Sequence, residues 1–146
     1  MSVTEVDLNI MLKRAHVEEM LAHARAARPA ECCGLVGGQG AVAQTIYRLR
    51  NVAPDPLTAY EGAPAELFAA QRSMRARGEQ LLAIYHSHPR AIEPEPSETD
   101  VRLAFYPAAV YLIVGLGAEG AGVLRAFRLF EGERRWEQVA YQIVEE

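Results

Sequence analysis

Residues 84–100, IYHSHPRAIEPEPSETD, carry side chains that could do hydrolytic chemistry. Two imidazoles, His86 and His88, stand one residue apart at the end of an apolar run, and Pro89 stops the strand that the run predicts. In an extended segment residues i and i+2 project from the same face, so both rings can converge on one metal ion. A catalytic zinc needs a third protein ligand and keeps its fourth position open. Asp100, twelve positions beyond His88, is the natural candidate, because Ser97 reads as the start of a short helix whose first turn contains it. Such a metal would lower the pKa of its water towards about 7 and polarise a scissile carbonyl. Taken singly, H-x-H also suits exposed strand histidines and Ser-x-x-Asp also suits a plain capping box, so structural roles stay open for each.

These residues need a scaffold, and the apolar pattern supplies one. A strand is expected around Val6–Met11, followed by a helix whose Val17, Met20, Leu21 and Ala24 share one face and which cannot pass Arg28 because Pro29 follows. ECCGLVGG predicts a buried strand running into a turn at Gly37, Gly38 and Gly40, with Val42–Leu49 as its hairpin partner. Residues 51–63 contain two prolines and a glycine without regular periodicity and read as a loop. Pro64 and Gly78 bracket a second helix with Leu67, Phe68 and Met74 inward. LLAIY and residues 108–116 are unbroken apolar runs of strand length, as expected for central strands covered on both faces. The short helix opened by Ser97 should end near Tyr106, before Pro107. VLRAFRLF and a last strand containing Val139, Tyr141 and Ile143 complete the chain. The expected fold class is α+β: a mixed, mostly antiparallel sheet of about six strands, flanked by two long helices and one short one.

At 146 residues and a net charge of −4, residues 1–146 read as one domain with no basic footprint for nucleic acid. No stretch approaches the roughly 20 apolar residues of a membrane span, and no export signal pattern opens the chain. Cys32 and Cys33 are adjacent and poorly placed to bridge each other, which points to buried free thiols in a reducing, cytoplasmic setting. A nucleophilic role for either thiol, with a histidine as base, is the alternative chemistry.

His86-Ser87-His88-Pro89, then Ser97-x-x-Asp100, with Glu31 upstream in E-x-x-G-L, resembles the JAMM motif of the MPN+ metalloproteases. The resemblance covers nearly the whole chain and implies a single MPN-like catalytic domain holding one Zn2+. It implies His86, His88 and Asp100 as ligands, Glu31 as general base and acid, and Ser97 as a donor to the tetrahedral intermediate. Ser87, on the opposite strand face, would make a supporting hydrogen bond. The family's usual seven residues between the second histidine and the serine are here eight, Pro89–Pro96. The implied activity is hydrolysis of an amide or isopeptide bond at the C-terminal tail of a ubiquitin-like protein. The absence of long insertions favours a sulfur-carrier protein as partner, with a glycine-ended tail that an edge strand beside the site could pair. MPN proteins lacking the full motif serve as inactive scaffolds, the alternative reading of such a domain.

Overall fold

The computed structural model describes residues 9–104, 106, 108–118 and 121–145. In chain order the elements are β1 Met11–Lys13, α1 Arg14–Ala27, β2 Cys33–Gln39, β3 Val42–Leu49, α2 Pro64–Arg77, β4 Gln80–His88, α3 Glu98–Arg102, β5 Val110–Gly115, β6 Val123–Phe130, β7 Arg135–Val139 and β8 Gln142–Val144. Among the described residues, eight strands join one sheet in the order β7-β6-β5-β4-β2-β3-β1-β8, where about six are expected from the sequence. The outlying strands β1 and β8 are three residues each and pair in parallel. The pairings β2–β3, β2–β4, β5–β6 and β6–β7 are antiparallel; β4–β5, β1–β3 and β1–β8 are parallel. Among the described residues, no helix is long and apolar enough to cross a membrane.

Alternation along the central strands divides the core between the two sheet faces. Met20 and Ala24 of α1 pack with Cys32, Val36, Tyr85, Leu112 and Val114 on one face. Ala70 and Met74 of α2 and Val101 of α3 pack with Cys33, Leu35, Ile84, Tyr111 and Ile113 on the other. Because β4 and β5 are buried on both sides, the runs Leu81–Tyr85 and Val110–Val114 within them are continuously apolar. Gly34 lies directly across from Tyr85, and a Cβ at Gly34 would overlap the Tyr85 ring. That ring reaches through to α1, where the Tyr85 hydroxyl sits 2.7 Å from His23 Nδ1.

Several expectations need correction. The first strand begins at Met11 rather than ending there, since Met11 is the first residue with sheet partners, Val42 and Gln142; Val6–Leu8 lie outside the described residues. Gly37 and Gly38 stay within β2, where the registers shift, and only Gly40, with φ +60°, belongs to the turn. Phe68 is 62% exposed: the buried stripe of α2 follows Leu67, Ala70 and Met74, and Phe68 lies about 100° round the helix from Leu67. Helix α3 ends at Arg102, because the chain tightens with Ala104 N–H on Val101 C=O and then sends Tyr106 N–H to the Tyr111 hydroxyl; Pro107 lies outside the described residues. The single last strand is two, split at Ala140–Tyr141, with β7 on β6 and β8 on β1. Finally, β4 is flanked by β2 and β5, so the histidines do not sit beside an edge strand of this sheet.

Candidate functional site

The register of β2 on β4 decides what the histidines meet. Cys33 lies opposite His86, and the ladder continues with Ser87 N–H donating to Cys32 C=O at 3.2 Å. One step further, the same register sets Glu31 opposite His88, on the face shared by Cys33 and Ile84. Ser87 points the other way and accepts from Cys32 N–H at 2.8 Å, locking the two strand ends together as expected of it. From the far side of the loop 89–96, α3 presents its first turn. Ser97 Oγ accepts from Asp100 N–H at 3.0 Å and Ser97 N–H donates to Asp100 Oδ2 at 2.9 Å, a reciprocal cap that fixes the carboxylate.

These elements bring His86 Nε2, His88 Nε2 and Asp100 Oδ2 together, with all three separations 3.1 Å. Two neutral imidazoles carry at most two N–H groups and a carboxylate carries none, so three mutual contacts exceed what their protons can bridge. Around a tetrahedral zinc with bonds of about 2.0–2.1 Å, ligand atoms stand about 3.3 Å apart, so the triangle fits a shared divalent cation. His86 is fully buried and Asp100 is 7% exposed. Glu31 also joins the imidazoles, with a carboxylate oxygen and the two ring nitrogens all within 4.8 Å of one another. Two donor sets therefore overlap on the histidines, and the one containing Asp100 is the tighter. The extra residue of the 89–96 loop leaves this convergence intact; Ile92 in that loop is 72% exposed.

Burial and charge set the ionisation of the cluster. Burial raises the Glu31 carboxyl to about 7, with the Asp100 charge adding to the rise and His88 opposing it. Among the described residues, its Oε1 is buried with no hydrogen-bond partner, as is His86 Nδ1. Burial pulls the His86 imidazole below its usual value despite the pull of Asp100 in the other direction. Burial also acts downward on His88, but hydrogen bonding and charge from Asp100, together with Glu31, leave it raised. Asp100 is driven the other way: burial favours its protonation, yet the two imidazoles and the Ser97 N–H hold it well below the ordinary carboxylate range.

Two features of the site were not evident from the sequence. Tyr60 stacks on His86 with ring centroids 4.3 Å apart and planes 20° apart, and it walls a cleft of about 400 Å3 together with Ala59, Glu61, Thr99, Asp100 and Leu103. Asn51, at the root of the same loop, bonds to the backbone of Glu31. Neither residue lies in a periodic segment; the available signal is the loop itself, thirteen irregular residues in a small chain. The cysteines lie elsewhere in character. Both are buried, and burial pushes Cys32 up to about 11 and Cys33 up to about 12, which keeps them as unreactive thiols.

Comparison with known proteins gives a concordant set of relatives. The family described as prokaryotic homologs of the JAB domain matches residues 13–130. A "Probable TtuB-protein conjugate cleaving protease" of Thermus thermophilus is 39% identical over 126 residues, covering 86% of this chain and 80% of its own. A "CysO-cysteine peptidase" of Mycobacterium tuberculosis is 33% identical, covering 84% of each chain. A "Desampylase" of Haloferax volcanii is 37% identical over 103 residues, covering 66% of this chain and 73% of its own. Among solved structures, a protein of Desulfitobacterium hafniense superposes with a TM-score of 0.81 at 35% identity, covering 94% of both chains. A JAB1/MPN domain protein of Archaeoglobus fulgidus shares the fold, with a TM-score of 0.62 at 19% identity over 92% of this chain and 97% of its own.

Proposed function

The chain belongs to the JAB/MPN family, as one of the prokaryotic homologs of the JAB domain, and from that premise we propose that it is a zinc-dependent peptidase or isopeptidase acting at the C-terminal tail of a ubiquitin-like sulfur-carrier protein. The observation that carries the reading is the triangle of His86 Nε2, His88 Nε2 and Asp100 Oδ2 at 3.1 Å, with Glu31 beside it. His86, His88 and Asp100 hold one zinc ion. When bound there, zinc supplies Lewis acidity, acidifying water and polarising the scissile carbonyl.

The chain's own residues do the rest. Glu31, with its carboxyl raised to about 7, is poised to take a proton from water and return it to the leaving amine. Ser97 Oγ already accepts from Asp100 N–H, so its own proton is free to donate to the developing oxyanion, an interaction worth roughly 3 kcal/mol. Asp100, held ionised by the imidazoles and the Ser97 amide, keeps its charge for the metal. Partly buried Tyr60 covers one face of His86 and shields it from water on that side. The relatives' printed activities on TtuB conjugates and CysO-cysteine support a substrate of this class. The two free, buried thiols suit a reducing compartment, and we assign the protein to the cytoplasm.

The test is incubation of the zinc-loaded protein with ubiquitin-fold carriers extended beyond their C-terminal glycines, read by mass spectrometry. Release of the extension, abolished by a chelator and restored by zinc, is expected. Carriers of unchanged mass under zinc-loaded conditions would overturn the reading.

A further inference from the structure

The loop from Asn51 to Gly62 looks irregular, but one side chain organises it. The Asn51 carboxamide uses its full hydrogen-bonding capacity of two donors and two lone pairs. Its Nδ2 donates to Glu31 C=O at 2.9 Å and to Ala59 C=O at 3.0 Å. Its Oδ1 accepts from Ala53 N–H at 2.9 Å and from Glu61 N–H at 3.0 Å. All four partners are backbone groups of fixed polarity, so the orientation of the amide is determined.

Two of these bonds bracket Tyr60, the residue stacked on His86. Another reaches twenty residues back to Glu31, and the same loop supplies Pro56 C=O, which accepts from Glu31 N–H at 2.8 Å. Both backbone polar groups of Glu31 are therefore held from within this loop, whereas its neighbour Cys32 is held from β4 through Ser87. A carboxylate whose Oε1 has no partner among the described residues depends on its backbone for its placement.

We propose that Asn51 is a positioning residue for the hydrolytic reaction, clamping Glu31 against the imidazoles and Tyr60 over His86 through a single carboxamide. The inference rests on the reading of Glu31 as the proton carrier. An asparagine that merely shaped a turn would need only its local bonds to Ala53 and Glu61; the bond to Glu31 is the one that serves the site.

Asn51→Asp separates the two roles, because it keeps both acceptor bonds and removes both donor bonds. In the metal-free variant, amide exchange at Glu31 should quicken at least about tenfold, while Cys32 and Glu61 stay protected. In the zinc-loaded variant, kcat on an extended carrier should fall about 10- to 100-fold, with KM within about twofold and zinc content unchanged. In a Glu31→Gln background the same substitution should cost residual kcat at least about threefold less, since the proton carrier is gone and only the Tyr60 placement is left to lose. Asn51→Ala should repeat these effects and also release the Glu61 amide. Native protection of the Glu31 amide, or an equal loss of kcat in both backgrounds, overturns the inference. So does a failure of both variants to unfold cooperatively, which would make Asn51 a determinant of the fold alone. A wild-type protein that cleaves no carrier sinks the proposed function instead, and the exchange measurement still decides the role of Asn51.

Discussion

Replacing Glu31 by glutamine should cut turnover by a large factor and, in the metal-free protein, add stability that grows with pH. Glu31 is 5% exposed and its carboxyl is raised from 4.5 to about 7. The sign follows from proton counts. Between those two values the unfolded chain has released its proton while the folded chain retains it, so stability falls as pH rises through the window and levels off above it. The full span amounts to about 3 kcal/mol, at 1.36 kcal/mol per pKa unit. Glutamine has the same shape and no charge to bury, so the variant should lack this slope. The gain of Glu31→Gln over wild type should therefore increase by about 2 kcal/mol between about pH 5.5 and about pH 8. Urea unfolding of both proteins in a chelator, at matched ionic strength, measures it directly. A difference that does not change with pH would refute the argument that burial sets the Glu31 carboxyl.

Three further outcomes follow from the same geometry. His88→Ala and Asp100→Ala should each lose the metal, and elemental analysis showing full occupancy in either would mean that the ligands are misassigned. Cys32→Ser together with Cys33→Ser should keep turnover while losing about 1–3 kcal/mol of stability for each hydroxyl left unpaired in the core; a folded, metal-replete double variant without activity would revive a thiol mechanism. Gly34→Ala should cost about 1–3 kcal/mol in thermal or urea unfolding, because the new Cβ meets the Tyr85 ring; wild-type stability would show that the strands can part there cheaply.

The parts of this molecule that the sequence makes legible are those governed by local chemistry. Pro64 and Gly78 mark the ends of α2 because one presets a helical φ and the other adopts the left-handed φ of +70°. The apolar runs of β4 and β5 announce strands buried on both faces, and Ser97 announces the cap that holds Asp100. What sequence pattern did not reveal depends on distant partners. The three-residue strand β8 exists as an element of its own only because β1 supplies its ladder. The placement of Glu31 opposite His88 requires the strand register, which no local signal encodes. Asn51 and Tyr60 act through one backbone carbonyl and one ring face, neither of which leaves a period in the chain. Phe68 shows the reverse error, in which an apolar residue is assigned to the core although the helix turns it to solvent.

The two outermost strands of the sheet, β7 and β8, follow one another in the chain with only Ala140 and Tyr141 between them. Three Cα–Cα steps reach no more than about 11 Å, so the sheet must curl until its margins nearly touch. The closing strand β8 is fastened to the sheet by Met11 against Gln142, partners 131 positions apart, and by Arg14 against Glu145. During synthesis a nascent chain cannot fasten it until Gln142–Glu145 have left the ribosome, although residues 31–100, which carry the candidate site, emerge well before then. Assembly of the chemistry and closure of the shell are thus separate events in time, and a chain cut at Ala140 would meet the solvent with β1 unzipped along one flank.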